Sequence, residues 1–159
     1  MLRSVAVICA LLLPGALTAQ TELSLGGMAI GAGSAVDIRA DALAVDQATG
    51  QAVFSGNVVV IQGDVRIGAG EVEVTYDAEG GAITRLVGRN GVTFVTATQA
   101  AEAEGAEYDL AAGVLVLTGG VLMTEGRTAL SAERMTIDLR DGSARLEGGV
   151  RTTFLPEGE

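Results

Sequence analysis

The sequence predicts an all-β protein in which antiparallel strands form a folded-over stack of repeated strand-turn units. From residue 36 onward, apolar and polar residues alternate with a period of two, which is typical of half-buried strands. Short polar or glycine-rich breaks separate the alternating segments, and such breaks supply the positive φ values of tight turns. Two short motifs also recur in step. Such a repeat indicates units that bury their apolar faces by stacking on one another.

The two recurring motifs differ in composition but share one period. The first has the pattern A-x-x-Φ-x-Φ, with Φ apolar; its copies are spaced by 29, 34 and 29 residues and start at Ala40, Ala69, Ala103 and Ala132. The second is a glycine-containing tripeptide, spaced by 34, 29 and 29 residues and found at 56–58, 90–92, 119–121 and 148–150. Two copies are weaker, since Asn90 replaces a glycine and Ala106 replaces the first Φ. A closed barrel shares the strand period, but the repeat favours the stack.

Alternating segments follow one another with no linker, which predicts one domain of roughly a dozen strands. They occupy residues 36–40, 43–46, 52–67, 71–77, 83–87, 91–96, 114–123, 135–139 and 144–154. Residues 97–110 are rich in Ala and Glu, which favour helix. We expect a loop or short helix over 97–102, followed by a strand at 103–108.

The N-terminus has the features of a secretory signal peptide. Arg3 precedes an apolar run at 5–13, and small residues end at Ala19. The run is short for a membrane span, so cleavage after Ala19 is favoured over an anchor. Cys9, the one cysteine, lacks the small residues that precede a lipidated cysteine. The predicted organisation is a signal peptide at 1–19, a flexible mature N-terminus at 20–35, the β domain at 36–154 and an acidic tail at 155–159.

Composition excludes several kinds of chemistry. The 159 residues include 20 Asp and Glu against 10 Arg and Lys, a net charge of −10 that becomes −11 once Arg3 is removed. The sequence contains no His and no Lys, and the mature chain has no Cys. A Ser-His-Asp triad, a histidine or thiolate metal site and a Schiff base are therefore excluded. We expect no enzyme activity and no cofactor, and the negative charge disfavours nucleic acid.

Two stretches carry a resemblance to a known family. Residues 40–77 and 114–139 resemble the periplasmic lipopolysaccharide-transport proteins of the LptA, or OstA-like, family. Its mark is an F/L-[ST]-G-x-V strand, a glycine turn and an A-[DE]-x-Φ-x-Φ strand, which is well formed at 54–74 and 117–137. The resemblance covers about residues 36–154. It implies an open β-jellyroll, a V-shaped trough with an apolar interior.

The resemblance also implies a function. Members hold the acyl chains of lipopolysaccharide inside the trough and stack head-to-tail, so that they bridge the inner and outer membranes. The implied partners are lipopolysaccharide, the inner-membrane-anchored and outer-membrane components of the transport machinery, and a second copy of the chain. The implied location is the periplasm. The short chain and the predicted signal peptide favour the soluble bridging member.

The alternation supplies candidates for the trough wall and the stack ends. Burial of an acyl chain contributes about 0.8 kcal/mol per CH₂, so tail burial can offset repulsion between an acidic protein and an anionic lipid. The predicted lining residues are Val36, Ile38, Leu43, Val45, Phe54, Val58, Val60, Val72, Val74, Val92, Phe94, Tyr108, Leu110, Leu115, Leu117, Val121, Met123, Met135 and Ile137. The predicted partner edges are Val36 and Ile38 at the first strand, and Val150, Thr152 and Phe154 at the last.

Several alternatives remain open at this level. The apolar residues also suit a closed, dry core. Phe94 and Tyr108 are the large residues expected to contact lipid, whereas Tyr76 and Phe154 are expected to pack structurally. Arg39, Arg85 and Arg89 suit either a phosphate-binding rim or an ordinary surface. The rival functions are the periplasmic domain of the inner-membrane-anchored partner and a carbohydrate-active β-helix protein. An enzyme of that kind would use paired carboxylates such as Glu71 and Glu73, which alternation places on one solvent-facing side.

Overall fold

The computed structural model describes residues 23–24, 35–46, 48–79 and 82–154; the predicted leader, nearly all of segment 20–35 and the acidic tail lie outside these ranges. No segment of the described residues forms a helix long and apolar enough to cross a membrane. The strands are β1 (Leu23–Ser24), β2 (Val36–Arg39), β3 (Ala42–Asp46), β4 (Gln51–Gln62), β5 (Val65–Tyr76), β6 (Ile83–Val95), β7 (Gln99–Ala103), β8 (Gly105–Asp109), β9 (Val114–Glu125), β10 (Thr128–Asp138), β11 (Ser143–Glu147) and β12 (Arg151–Phe154).

All twelve strands belong to one antiparallel sheet, which confirms the all-β prediction. The chain crosses this sheet repeatedly, and each crossing is here termed a rung. The eight rungs are, in order, β2 with β3, β4, β5, β6, β7 with β8, β9, β10, and β11 with β12. Among the described strands, the first rung pairs only with β4, and β12 pairs only with β10. The sheet therefore stays open and does not close into a barrel.

Every rung bends at the same level, and the two sequence motifs mark the bends. In the even-numbered rungs the bend is the first two residues of the glycine motif, and both take positive φ; Gly119 and Gly120, for example, have φ of 81° and 59°. In the odd-numbered rungs the bend follows the alanine of the other motif. Facing bends are hydrogen bonded, since the amide of Glu104 donates to the carbonyl of Gly119 at 3.0 Å. The repeat in the sequence is thus a repeat of bends.

Close approach between facing bends explains why glycine recurs there. A Cβ placed on Gly119 would lie 2.7 Å from the Cβ of Glu104, and Gly56 and Gly148 are equally crowded by the facing acidic residue. The weak copy at Asn90 reverses this arrangement. Here glycine is on the other rung, because a Cβ on Gly70 would lie 2.8 Å from the Cβ of Asn90. Asn90 itself has φ of 64°, a left-handed conformation that asparagine tolerates better than most residues.

The line of bends divides the sheet into two half-sheets that face each other. Half-sheet I consists of β2, β7, β12 and the parts of the long strands in register with them, and half-sheet II of β3, β8, β11 and the remaining parts. One inward row crosses half-sheet I through Ile38, Val60, Ile67, Phe94, Ala101, Met123, Leu130 and Thr152. A row on half-sheet II runs through Leu43, Phe54, Val72, Gly88, Ala106, Leu117, Met135 and Leu146.

The inward side chains of both half-sheets merge into a single apolar core. Leu115, Leu117, Met123, Met135 and Ile137 are fully buried. Burial of a side chain of this size contributes about 1.5–3 kcal/mol relative to exposure. The described residues contain no cysteine, so strand pairing and this burial stabilise the fold without disulfides.

The expected loop or short helix at 97–102 is wrong. Only a tight turn separates β6 from β7, and strand structure resumes at Gln99. The segment alternates after all, with Gln99 and Ala101 buried and Glu102 exposed. It pairs with β6 on one side and β9 on the other. Two flanking ladders of hydrogen bonds outweigh the weak intrinsic preference of Ala and Glu for helix.

The two ends of the stack expose large apolar side chains. Leu43 and Val45 on the first rung are 55% and 62% exposed, and Val150 and Phe154 on the last are 53% and 73% exposed. The expectation that Phe154 packs structurally is therefore wrong, whereas Tyr76 does pack against the core. All four exposed residues share the inward direction of their rows. Among the residues that the structure describes, no further rung covers them.

Substitution of Gly119 by alanine should destabilise the fold more than the same substitution of Gly120. Both positions have positive φ, which costs a non-glycine residue about 1–2 kcal/mol. Only Gly119 faces a close neighbour, since a Cβ on Gly120 would meet no atom within 4 Å. Urea unfolding of the two variants measures the difference. Equal losses of stability would contradict the role assigned to the facing bends.

Candidate functional site

The space between the half-sheets collects nearly all of the predicted lining residues. Those that are buried there are Val58, Val60, Val72, Val74, Val92, Phe94, Tyr108, Leu115, Leu117, Val121, Met123, Met135 and Ile137. Partly buried and packed against the same core are Val36, Ile38, Phe54 and Leu110. Leu43 and Val45 point the same way but are exposed at the first rung. Lipid contact by any of these residues stays a prediction.

Side chains from the two half-sheets pack closely against each other in the middle of the interior. The cavity between the half-sheets has a volume of about 10 Å³, and its lining comes from both sides, with Val60 and Ile67 facing Val72, Leu86 and Leu115. That volume is close to the minimum that holds one water molecule. Among the described residues, the small β-branched side chains that line this cavity leave little space in it.

The cavity coincides with the weakest copy of the alanine motif. Gly88 and Ala106 are neighbours in one inward row, between Val72 on one side and Leu117 on the other. Both residues line the cavity. Two small side chains in a row of larger ones leave the gap that the facing half-sheet does not fill. The departure of Ala106 from the alanine motif therefore coincides with a place where the core is less completely filled.

A hydrogen bond joins the half-sheets at their margins, the edges farthest from the bends. The hydroxyl of Tyr108, on half-sheet II, donates to Oε1 of Gln62, on half-sheet I, at 3.0 Å. Burial, with a smaller contribution from the charge of Asp109, raises the pKa of Tyr108 above its ordinary value. Tyr108, which is expected to contact lipid, thus also holds the two half-sheets together.

The margin of half-sheet I has inward polar side chains that the sequence analysis missed. Thr96 and Gln99 are buried, and Nε2 of Gln99 donates to Oε1 of Glu125 at 3.1 Å. Inward apolar residues were missed as well, namely Val65, Ile67, Leu86, Leu130 and Leu139. The period of two would have found Val65, Ile67 and Leu130. Gln99 is missed because the composition of residues 97–102 favours a loop or short helix, and neither element predicts an inward side chain at position 99.

The arginines singled out in the sequence lie on the outer surface, paired with acids. Arg85 contacts Glu107 at 2.7 Å, and Arg89 contacts Glu71 at 3.6 Å and Glu73 at 3.1 Å. The hydrogen bond to Glu107 and its charge raise the pKa of Arg85. Glu71 and Glu73 lie on the outward side of β5, as expected, and Arg89 neutralises part of their charge. Arg39 likewise pairs with Asp37 on the outward side of β2.

Comparisons with known proteins agree with this architecture. The family described as LptA/(LptD N-terminal domain) LPS transport protein matches residues 37–143. A protein of Rhizobium meliloti (strain 1021), described as uncharacterized, is 29% identical over 145 residues, which are 86% of this chain and 78% of that protein. The crystal structure of LptH, the LptA-homologous periplasmic component of the lipopolysaccharide transport device of Pseudomonas aeruginosa, superimposes with a TM-score of 0.69. It is 15% identical and covers 77% of this chain and 96% of that one.

The folded-over open sheet with an apolar interior defines a β-jellyroll of the class found in lipopolysaccharide transport. The family match covers more than half of the sequence. The chain belongs to the LptA/LptD N-terminal domain family of lipopolysaccharide transport proteins. The resemblance identified from the sequence is confirmed.

Replacement of Tyr108 by phenylalanine should lower the free energy of unfolding by about 0.5–1.5 kcal/mol at neutral pH, because it removes the bond to Gln62. It should also reduce the loss of stability in alkali. The raised pKa of Tyr108 means that the folded state binds the phenol proton more tightly than the unfolded chain. Its contribution is therefore complete below about pH 10 and is lost as the pH rises through the folded pKa.

Urea unfolding at a series of pH values measures both effects. Tyr76→Phe is the matched control, since Tyr76 is partly buried in the same core. Identical pH profiles for the two variants would contradict the role assigned to Tyr108.

Proposed function

We propose that this protein is a periplasmic lipopolysaccharide carrier that holds the lipid A acyl chains between its half-sheets. The observation that supports this most directly is the continuity of the inward apolar face. It crosses all eight rungs and reaches exposed apolar residues at both ends, Leu43 and Val45 at the first and Val150 and Phe154 at the last. A core that served stability alone would gain from covering its ends. An uncovered apolar track suits a cargo that moves along it.

Lipid entry requires the half-sheets to part, and the fold limits what must break. Strand pairing runs within each half-sheet and around the bend, so separation of the margins leaves the ladders intact. Among the described contacts, separation would disrupt side-chain packing and the Tyr108–Gln62 bond. Acyl chains then pack against the exposed apolar side chains, and each CH₂ removed from water contributes about 0.8 kcal/mol. The bends, which contain at least one positive-φ glycine in every even-numbered rung, are the natural hinge.

The same ends suit head-to-tail assembly. An added rung would continue the existing register, so the rows of the sheet place Thr152 of one copy beside Ile38 of the next, and Phe154 beside Val36. Among the described strands, the outer edges of β2 and β12 have no paired neighbour, and strand addition would cover these edges and the apolar side chains exposed at the two ends. On the last rung, β1 already pairs with Ser143 and Ala144 of β11. Strand addition would therefore begin at β12.

This function also specifies a location and partners. The predicted signal peptide supports export to the periplasm, and LptH, which has the same fold, is described as a periplasmic component. The partners would be lipopolysaccharide and the inner-membrane-anchored and outer-membrane components of the transport machinery. The periplasmic domain of the anchored component is the second candidate. N-terminal sequencing of the mature protein decides between them, since a start near Gln20 fits only the soluble carrier.

A non-enzymatic role fits the outer surface better than glycoside hydrolysis does. Glu71 and Glu73 lie side by side on one strand and share the guanidinium of Arg89. Glycosidases place two carboxylates on opposite sides of a bound sugar. Turnover of an acidic polysaccharide by the purified protein would reverse this assignment.

A photo-crosslinking amino acid at position 54 should label lipopolysaccharide in cells, and one at position 53 should not. Phe54 is inward and partly buried, so the probe fits with little disturbance, whereas Val53 is its outward neighbour on the same strand. Immunoblotting for lipopolysaccharide detects the adduct. Equal labelling at the two positions would sink the interior-carrier proposal.

A chain with Asp37→Cys and Thr153→Cys should form disulfide-linked ladders on oxidation. The continued register brings these outward positions together between copies, and the mature chain has no cysteine of its own. The control is Ala44→Cys with Thr153→Cys, which uses the same first rung but the opposite half-sheet. Non-reducing electrophoresis separates the species. Ladders in both chains, or in neither, would count against head-to-tail addition in this register.

A further inference from the structure

The margin of half-sheet I contains a buried hydrogen-bond acceptor without a partner. Gln99 is 3% exposed, and its Oε1 is the one buried side-chain polar atom left unsatisfied among the residues that the structure describes. Its Nε2 donates to the carboxylate of Glu125, which accepts only, so the amide orientation is fixed and the carbonyl oxygen is the free atom. Buried polar atoms are rarely left unpaired, and an exception calls for an explanation.

The position of Gln99 points to a ligand rather than to a packing defect. Gln99 shares the inward direction of Ala101, two residues further along β7, and Ala101 belongs to the apolar core. The backbone amide of Gln99 donates to Oγ1 of Thr96, and the backbone amide of Thr96 donates to the backbone carbonyl of Gln99. The turn thus fixes the backbone of Gln99 at the boundary between the apolar interior and the margin, and the bond to Glu125 fixes its side chain.

An amphiphile with its tails inside places its own polar boundary at the same level. Tails occupy the apolar rows, the headgroup remains in water, and the linkage between them lies at the margins. Thr96, just after β6, and Glu125, on β9, are the polar neighbours of Gln99 on either side, and Gln62 lies at the same level farther along, on β4. A linkage that can donate a hydrogen bond would satisfy Gln99 there.

We infer that Oε1 of Gln99 accepts a hydrogen bond from a donor beside the acyl chain of the bound lipid, either a hydroxyl on the chain or an amide N–H of its linkage. This inference rests on the proposed function and specifies which chemistry the site selects. Gln99 is a specificity residue, since tail burial supplies the affinity and the acceptor distinguishes lipids with a donor at this depth from lipids without one. One satisfied hydrogen bond corresponds to roughly a two- to tenfold preference.

Three neutral probes of equal chain length test this selection. The first is the methyl ester of a saturated fatty acid, the second is the methyl ester of its 3-hydroxy analogue, and the third is the N-methyl amide of the unsubstituted acid. The first has no donor, the second has a hydroxyl and the third an amide N–H. Affinities are measured by displacement of a fluorescent fatty acid from the full mature protein. The wild type should bind one or both donor probes more tightly than the plain ester, and the probe preferred identifies the donor.

The variant Gln99→Met should lose this preference and keep its affinity for the plain ester. Gln51→Met is the matched control, because Gln51 makes the same Gln-to-Glu hydrogen bond, to Glu73 at 3.3 Å, on the outer face. This control should keep the preference. Circular dichroism checks that both variants are folded, and an unfolded Gln99→Met is replaced by Gln99→Glu, whose ionised carboxylate should change the preference rather than leave it intact.

Other results overturn the inference in distinguishable ways. Equal binding of all three probes by the wild type removes the selection but leaves the lipid carrier standing. A preference that persists in Gln99→Met assigns the acceptor elsewhere. If no probe binds and position 54 does not label lipopolysaccharide in cells, the proposed function fails and the inference fails with it.

Discussion

The architecture depends on the bend that all eight rungs share. Left-handed pairs of residues turn the even-numbered rungs at one level, and glycine allows the facing rungs to approach closely there. Because the bends are aligned, the single sheet folds on itself and directs every second side chain into one interior. A bend displaced by one residue would send the following apolar residues to the outer surface, since side chains alternate along a strand. The positions of the bends therefore determine which side chains face the interior and which face the outer surface.

This interior has to serve as the core of the protein and as its candidate binding space. Its buried side chains pack into one apolar cluster, with a cavity of about 10 Å³ where Gly88 and Ala106 meet. The fold reconciles the two roles by placing its strong and weak interactions in different parts. Backbone ladders run through each half-sheet, whereas packing and the bond between Tyr108 and Gln62 hold the margins together. Parting of the half-sheets, as the proposed function requires, would leave the ladders intact.

The surface divides in a similar way. Charged residues that the sequence placed on the outward faces form exposed ion pairs there, and such pairs contribute little to stability. The ends of the stack differ, because they combine unpaired backbone with apolar side chains. Polar inward residues gather at the margin of half-sheet I, which under the proposed function is the depth where a lipid changes from tail to headgroup. The charged outward faces thus suit contact with water, and the apolar ends suit an added rung. Under the proposed function, the polar margin suits the linkage of a lipid.

The sequence by itself determined the strand period, the repeat, the inward identity of most core residues such as Phe94 and Met135, and the family. These properties depend on local alternation and spacing, which one chain displays directly. Only the tertiary structure decided that 99–103 is a strand, because pairing with β6 and β9 outweighs local preference. It alone showed that Leu43 and Val45 are exposed and that Gln99 is buried with its side-chain Oε1 unpaired. Exposure and hydrogen-bond satisfaction depend on neighbours distant in sequence, and alternation carries no information about where the last rung lies.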